Sequence, residues 1–168
     1  ARIAGLYVPF WTFDSTEAVA YWATVREGYG EDTETREITG RMTTRFDDLL
    51  MPASSHVTPM IRDGILHEFS PEALKPCMPG FLAGFAAEQH GQTVAEGLEA
   101  NARDKKILMK ARIRAHLGRS GVSNIRYITD STGIRYRRLL MPVWILHYRL
   151  ADTAYRVVVS GIDGRTFG

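Results

Sequence analysis

Apolar positions along this chain keep two rhythms. Toward both ends they alternate, the period of a half-buried strand, and past the middle they recur every three to four residues, the period of an amphipathic helix. The alternating runs are rich in β-branched and aromatic residues: 3–13 and 18–28, 33–39 and 41–48, then 122–129, 134–150 and 154–160. Short polar stretches punctuate them. Asp14-Ser15-Thr16-Glu17, Gly40, Asp130-Ser131-Thr132-Gly133 and Ala151-Asp152-Thr153 read as turns, so the runs pair as β-hairpins.

The helical stretch has a clear start and stop. Thr93-Val94-Ala95-Glu96 is a capping box, in which the threonine hydroxyl and the glutamate satisfy orphan backbone donors reciprocally. Val94, Leu98, Ala102, Met109, Ile113 and Leu117 then share one face, and Gly118 ends the run, which predicts a helix over 94–117. Between the β blocks, Ser54 or Ser55 caps a short helix to about Leu66. Pro71, Pro76 and Pro79 leave 67–80 irregular, with at most one helical turn near Ser70–Leu74. Hairpins, helices, hairpins is the order of an α+β domain, an antiparallel sheet with the long helix and shorter helices packed on it.

The chain also repeats itself. Leu6-Tyr7-Val8-Pro9-Phe10-Trp11-Thr12-Phe13 returns as Leu139-Leu140-Met141-Pro142-Val143-Trp144-Ile145-Leu146, and Ala20-Tyr21 returns as Ala154-Tyr155. The expectation is two equivalent Pro-x-Trp hairpins, spanning Leu6–Val25 and Leu139–Val159, with Pro9, Trp11, Pro142 and Trp144 as structural anchors. A proline cannot donate to a ladder, so Pro9 and Pro142 belong at an edge or a bulge. Trp11, Trp22, Trp144, Tyr21 and Tyr155 are read as core aromatics, with a stacking platform for bases as the alternative.

Composition narrows the class. With 168 residues and 45% apolar content, one well-buried core fits, so residues 1–168 are expected to form a single α+β domain, a piece of a longer protein. A net charge of +2 demands no polyanionic partner, but the charges are segregated. Residues 14–48 carry nine acids against four arginines, and residues 103–119 carry seven Lys/Arg against one aspartate. The lone cysteine, Cys77, leaves no disulfide framework and no Cys-rich zinc site within this sequence. No apolar run approaches the roughly 18 residues of a membrane span, and no secretory signal opens the chain, which reads as cytoplasmic or at the membrane surface.

Four blocks then stand in a recognisable order: Gly5–Asp14, Phe46–Ser54, Leu139–Trp144 and Val158–Arg165. Together they resemble the C-terminal region of bacterial zinc-ribbon (TFIIB-type zinc-finger-like) proteins labelled "primosomal protein N′ (replication factor Y), superfamily II helicase". The resemblance covers essentially the whole chain and implies a zinc ribbon on the N-terminal side, whose cysteine pairs are absent from this sequence. The helicase activity does not carry over, because no G-x-x-x-x-G-K-[ST] phosphate loop is present. Tyr21-Trp22-Ala23-Thr24 also departs from the family's glycine after that tyrosine.

Candidate chemistry is sparse. Asp14, Asp47 and Asp48 sit at expected strand ends, where carboxylates can converge on a hard cation. The plainer reading gives Asp14 an Asx bond within its own turn. His56, His67, His90, His116 and His147 include no i, i+4 pair of the kind that makes a helical zinc site. Cys77 reads as a buried, inert thiol, and Ser55 and His56 are badly placed for proton transfer. On the long helix, Arg103, Lys106, Lys110 and Arg114 form a basic stripe opposite the apolar face, able to follow a phosphate backbone or an anionic lipid surface. Arg135, Arg137 and Arg138 extend it in part. The plainer reading is a solvated face whose charges complement the helix dipole.

No nucleophile, base and stabiliser are paired by spacing, so the reading leans away from an enzyme. The function expected is a binding or scaffolding module acting through protein contacts. The alternatives are sequence-tolerant nucleic-acid binding through the basic stripe and metal-dependent hydrolysis at Asp14, Asp47 and Asp48. No cofactor is expected in this chain, and zinc only in the ribbon that the resemblance implies.

Overall fold

The computed structural model describes residues 1–28, 33–66 and 70–168. Its fold is α+β, a mostly antiparallel sheet with helices. In chain order the elements are β1 (Arg2–Glu27), β2 (Glu34–Pro52), α1 (Pro59–Ile65), β3 (Ala86–Ala87), α2 (Val94–Leu117), β4 (Val122–Leu150), β5 (Thr153–Ser160) and β6 (Thr166–Phe167). The strand order is β2-β1-β4-β5-β6, with β3 pairing in parallel with β1 at Leu6 and Tyr7. Single 3-10 turns at Pro71–Ala73 and Pro79–Leu82 occupy the proline-rich stretch.

Three expected turns are not turns. Residues on both sides of Asp14–Glu17 belong to one strand, β1; Gly40 lies inside β2; and Asp130–Gly133 lies inside β4. The first Pro-x-Trp copy is therefore a stretch of one long strand. The second is a true hairpin, in which β4 and β5 pair antiparallel from Val143↔Ser160 to Leu150↔Thr153. Ala151 and Asp152 make its turn with positive φ angles of 47° and 63°, the backbone that a tight hairpin requires. The two copies share sequence but not topology. Gly40 serves close approach rather than turning, since a Cβ there would lie 2.3 Å from the Tyr21 hydroxyl oxygen.

The chain groups into two compact units. Unit 1 comprises residues 1–12, 50–98 and 136–168, and unit 2 comprises residues 13–49 and 99–135.

In unit 1 the core takes Val8 and Phe10 from β1, Leu139, Met141, Val143 and Ile145 from β4, and Val158 from β5, against Val57, Ile61 and Ile65 at α1. The period-2 spacing within each strand puts these residues on one face. Helix α1 is shorter than expected and starts later. Thr58 is its N-cap, accepting from the Ile61 N–H at 3.4 Å, and Pro59 follows at the first helical position, where a missing N–H costs nothing. Ser54 and Ser55 do not cap it. Both hydroxyls donate instead to the Glu88 carboxylate, at 2.5 and 2.8 Å, and the Ser55 N–H adds a bond at 2.6 Å.

The two prolines stand where a neighbouring strand gives out. The Pro9 carbonyl accepts from Ala53 just past the end of β2, and the Pro142 carbonyl accepts from Gly161 just past the end of β5. The tryptophans that follow differ. Trp11 is 3% exposed, lies against Gly97 and donates its indole N–H to the Gln92 carbonyl at 3.2 Å. Trp144 is 38% exposed and meets the edge of Phe85, so it does not close the core as an anchor.

In unit 2 the core takes Val19, Tyr21 and Ala23 from β1, Phe46 from β2, Ile125 from β4, and Met109 and Ile113 from α2. Helix α2 has the predicted bounds, and its capping box forms. The Thr93 N–H and hydroxyl donate to Glu96 at 2.8 Å, and the Glu96 N–H returns a bond at 3.3 Å. Gly118, at φ 60°, ends it. The buried face is not the predicted one throughout. Within unit 2, Ala102 is exposed while Asn101 is buried, with Lys105 partly so one turn on. Leu98, in unit 1, is 40% exposed. Apolar periodicity locates a helix's inner face only where that face is apolar.

Candidate functional site

One polar inward position of α2, Lys105, answers a carboxylate. Glu17, in the middle of β1, is 0% exposed. Lys105 reaches it from α2 with Nζ 2.5 Å from Oε1, and the same ammonium donates to Ser15 at 3.1 Å. Thr129 and Ser131 of β4 donate to the other carboxylate oxygen at 2.7 and 2.6 Å. Burial by itself raises this carboxyl's pKa. The bonds from Lys105, Ser131, Ser15 and Thr129 outweigh it and bring the group down to about 2. The stretches Asp14–Glu17 and Asp130–Gly133 are thus strand residues that are polar because they hydrogen-bond one another. The Thr132 hydroxyl also donates to the Thr16 carbonyl at 3.5 Å. The only trace of this in the sequence is that Asp-Ser-Thr occurs at both 14–16 and 130–132. Both carboxylate oxygens face protein donors, and the arrangement holds strands and helix together rather than presenting a reactive group.

Beside it, Phe46 is covered by two cations. The Arg112 guanidinium lies 4.0 Å from the ring centroid and the Lys105 ammonium 5.7 Å. Arg112 also donates to the Thr44 hydroxyl at 2.5 Å and to the Arg45 carbonyl. These two of α2's basic residues are occupied with structure.

Arg103, Lys106, Lys110 and Arg114 are the predicted stripe, and the structure divides them. Lys110 and Arg114, both exposed, join Arg126 of β4 in lining an open depression of about 860 Å³, while Arg103 and Lys106 stand outside it. Thr24, Thr35 and Asn124 add hydroxyl and amide groups, Ile125 adds apolar surface, and Glu37 pairs with Arg126 at 2.7 Å. Sequence reasoning missed Arg126, which follows a strand period and not the helical one. Of the arginines proposed to extend the stripe, Arg135 is an exposed residue of unit 2. In unit 1, Arg137 is exposed and Arg138 lies 5.0 Å over the Trp11 ring.

The acidic candidates do not gather. The Asp14 carboxylate accepts from the backbone N–H of Asp48 at 2.8 Å, a bond between strands and not within a turn. Asp47 pairs with Arg45 at 2.8 Å, and Asp48 has a φ of 48°. Among the described residues no three His, Cys, Asp or Glu side chains come together as metal ligands.

The histidines are dispersed as well. His90 packs on Trp11, with centroids 4.9 Å apart, and burial pushes its pKa below the usual imidazole value. His116 meets Tyr21 edge-on in unit 2, His147 is exposed on β4, and His67 lies outside the described residues. The His56 N–H donates to the Ser54 oxygen, whose own hydrogen goes to Glu88, so no Ser-His pair forms there. Cys77, expected to be buried, is exposed.

No family model matches the chain, and no solved structure does. Among the described residues no helix is long and apolar enough to cross a membrane. The chain is similar to an uncharacterized protein of Bacillus subtilis (strain 168), YdjG, at 26% identity over 99% of this chain and 51% of that protein. The chain spans about half the length of that curated relative.

Proposed function

We propose that this chain is a non-enzymatic binding module acting through protein contacts, and that the depression in unit 2 is its contact surface for an acidic segment of a partner. The carrying observation is the convergence of Lys110, Arg114 and Arg126 on one open concavity, with Thr24, Thr35 and Asn124 interleaved as hydrogen-bonding groups. An open, polar lining suits an extended chain better than a small apolar ligand, which prefers an enclosed apolar pocket. Glu37 within the lining favours protein over nucleic acid. A uniform polyphosphate would meet this like charge, whereas a peptide can set a basic or neutral residue against it.

The resemblance to zinc-ribbon proteins supplies the second reading, a sequence-tolerant nucleic-acid contact through Arg103, Lys106, Lys110 and Arg114. Neutralising any one of these residues would then lower the salt slope of binding by roughly one unit. On either reading, the zinc ribbon that the resemblance implies would lie outside this chain. Capture from a nuclease-treated native extract separates the two. Acidic proteins retained by the wild type and absent with Lys110→Glu/Arg114→Glu/Arg126→Glu support the protein contact. Capture that vanishes on nuclease treatment assigns the surface to nucleic acid.

A further inference from the structure

Strand β2 lies at one end of the strand order, with β1 on one side and, among the described residues, no strand on the other. An open edge presents unpaired N–H and C=O groups that another strand can take up. In unit 2, Arg112 of α2 donates to the Arg45 carbonyl and closes the edge at that point. Backbone groups along a strand point alternately to its two sides. Thr35, Glu37, Thr39, Arg41 and Thr43 therefore turn theirs the same way as Arg45, toward the open side. No proline interrupts β2 before Pro52, and the positive-φ residue Asp48 falls beyond this run. The same five residues have exposed side chains, on the face opposite half-buried Ile38 and Met42. Taken in order they are Thr-Glu-Thr-Arg-Thr, a row complementary to its own reverse.

We propose that the partner at this edge is a second copy of the chain, its β2 lying antiparallel about a two-fold axis through Thr39. That register sets Thr39 on Thr39, Thr35 on Thr43 and, twice, Glu37 on Arg41, each a favourable cross-strand pair. Charge selects the register. An axis two residues earlier would set Glu37 on Glu37, and one two residues later would set Arg41 on Arg41, like charges that repel. Glu37 bonds Arg126 of its own chain through one carboxylate oxygen and keeps the other for Arg41 of the second copy. On the core-facing side Gly40 stands opposite Ile38. The missing side chain leaves room for Ile38 and Met42 of the two copies to meet diagonally and lose exposed apolar surface.

The test is sedimentation velocity of the chain over a concentration series, with no peptide present, so its outcome is separate from that of the contact proposed for the depression. A reversible dimer is expected. Glu37→Arg alone and Arg41→Glu alone each weaken it by about tenfold or more, because two like-charge pairs replace two opposite ones. Mixing those two variants restores association as a heterodimer, since each copy then meets its opposite charge at both positions. A fluorescent label on one variant reports it. Thr39→Pro abolishes association at an unchanged circular dichroism spectrum, because a proline on an open edge costs β2 no bond to β1. Should Thr39→Pro unfold the chain, the exchange at the exposed Glu37 and Arg41 carries the test alone. A monomer at every concentration overturns the inference. So does a dimer that the single variants leave intact, or a mixture of the two that gains nothing.

Discussion

Where β1 passes through unit 1 it sends Val8 and Phe10 into an aliphatic core, and where it passes through unit 2 it sends Glu17 in beside Val19 and Tyr21. The first core is held by area removed from water, a non-directional force that any well-shaped apolar set supplies. The second contains a carboxylate whose charge must be answered at every oxygen. An ion pair of this kind adds little over a well-packed apolar pair in its place, because desolvating both partners offsets most of their attraction. What it supplies is register. With Thr129 and Ser131 bound to Glu17, a one-residue slip of β1 against β4 would leave a bare charge in the interior.

The largest effect expected follows from breaking that pair on one side. Glu17→Ala leaves Lys105 partly buried without its anion and should cost about 3–5 kcal/mol in denaturant unfolding. Replacing both partners, as Glu17→Met with Lys105→Met, should cost clearly less. Equal losses for the single and double variants would show that the uncompensated charge of Lys105 is not the source of the loss. In unit 1, Ile65→Ala should cost about 2–5 kcal/mol through the cavity it leaves, with no partner substitution able to restore it.

Acid should act on the units in turn. His90 has a lowered pKa, so protonating it favours the unfolded chain, and unit 1 should lose a small part of its stability as pH falls below the ordinary imidazole value. Glu17 has a folded pKa of about 2, well below its unfolded value of 4.5. Its contribution, up to about 3 kcal/mol, is fully present above pH 4.5 and drains away toward pH 2. Denaturant melts from pH 7 to pH 2, with Glu17→Gln as control, measure the step, which the control should lack. The smallest effect expected is from charge reversal at Lys110, Arg114 and Arg126. All three lie on the surface, so stability should move by less than about 0.5 kcal/mol per site.

The contrast between the units also explains what the sequence made legible. Helix α2 was readable end to end because its caps are local chemistry, and the β character of both chain ends was readable from alternation. The three false turns share one cause. Asp-Ser-Thr and an isolated glycine look like chain reversals in one dimension, yet they serve neighbours distant in sequence: Glu17 binds Thr129 and Ser131, and Gly40 makes room for Tyr21. The same blindness misplaced the inner face of α2, where Lys105 turns inward because a carboxylate is there. In the candidate surface, Lys110 and Arg114 were visible by helical spacing, whereas Arg126 reaches them from another element.

The most direct test of the functional reading is equilibrium binding of a fluorescent Asp/Glu-rich peptide, followed by anisotropy at low and physiological salt. The wild-type chain should bind, lose affinity as salt rises, and lose nearly all of it in Lys110→Glu/Arg114→Glu/Arg126→Glu, while Leu150→Asp with Tyr155→Asp, at exposed residues of unit 1, binds as the wild type does. Undiminished binding by the charge-reversed chain would contradict the assignment of the depression as the contact surface.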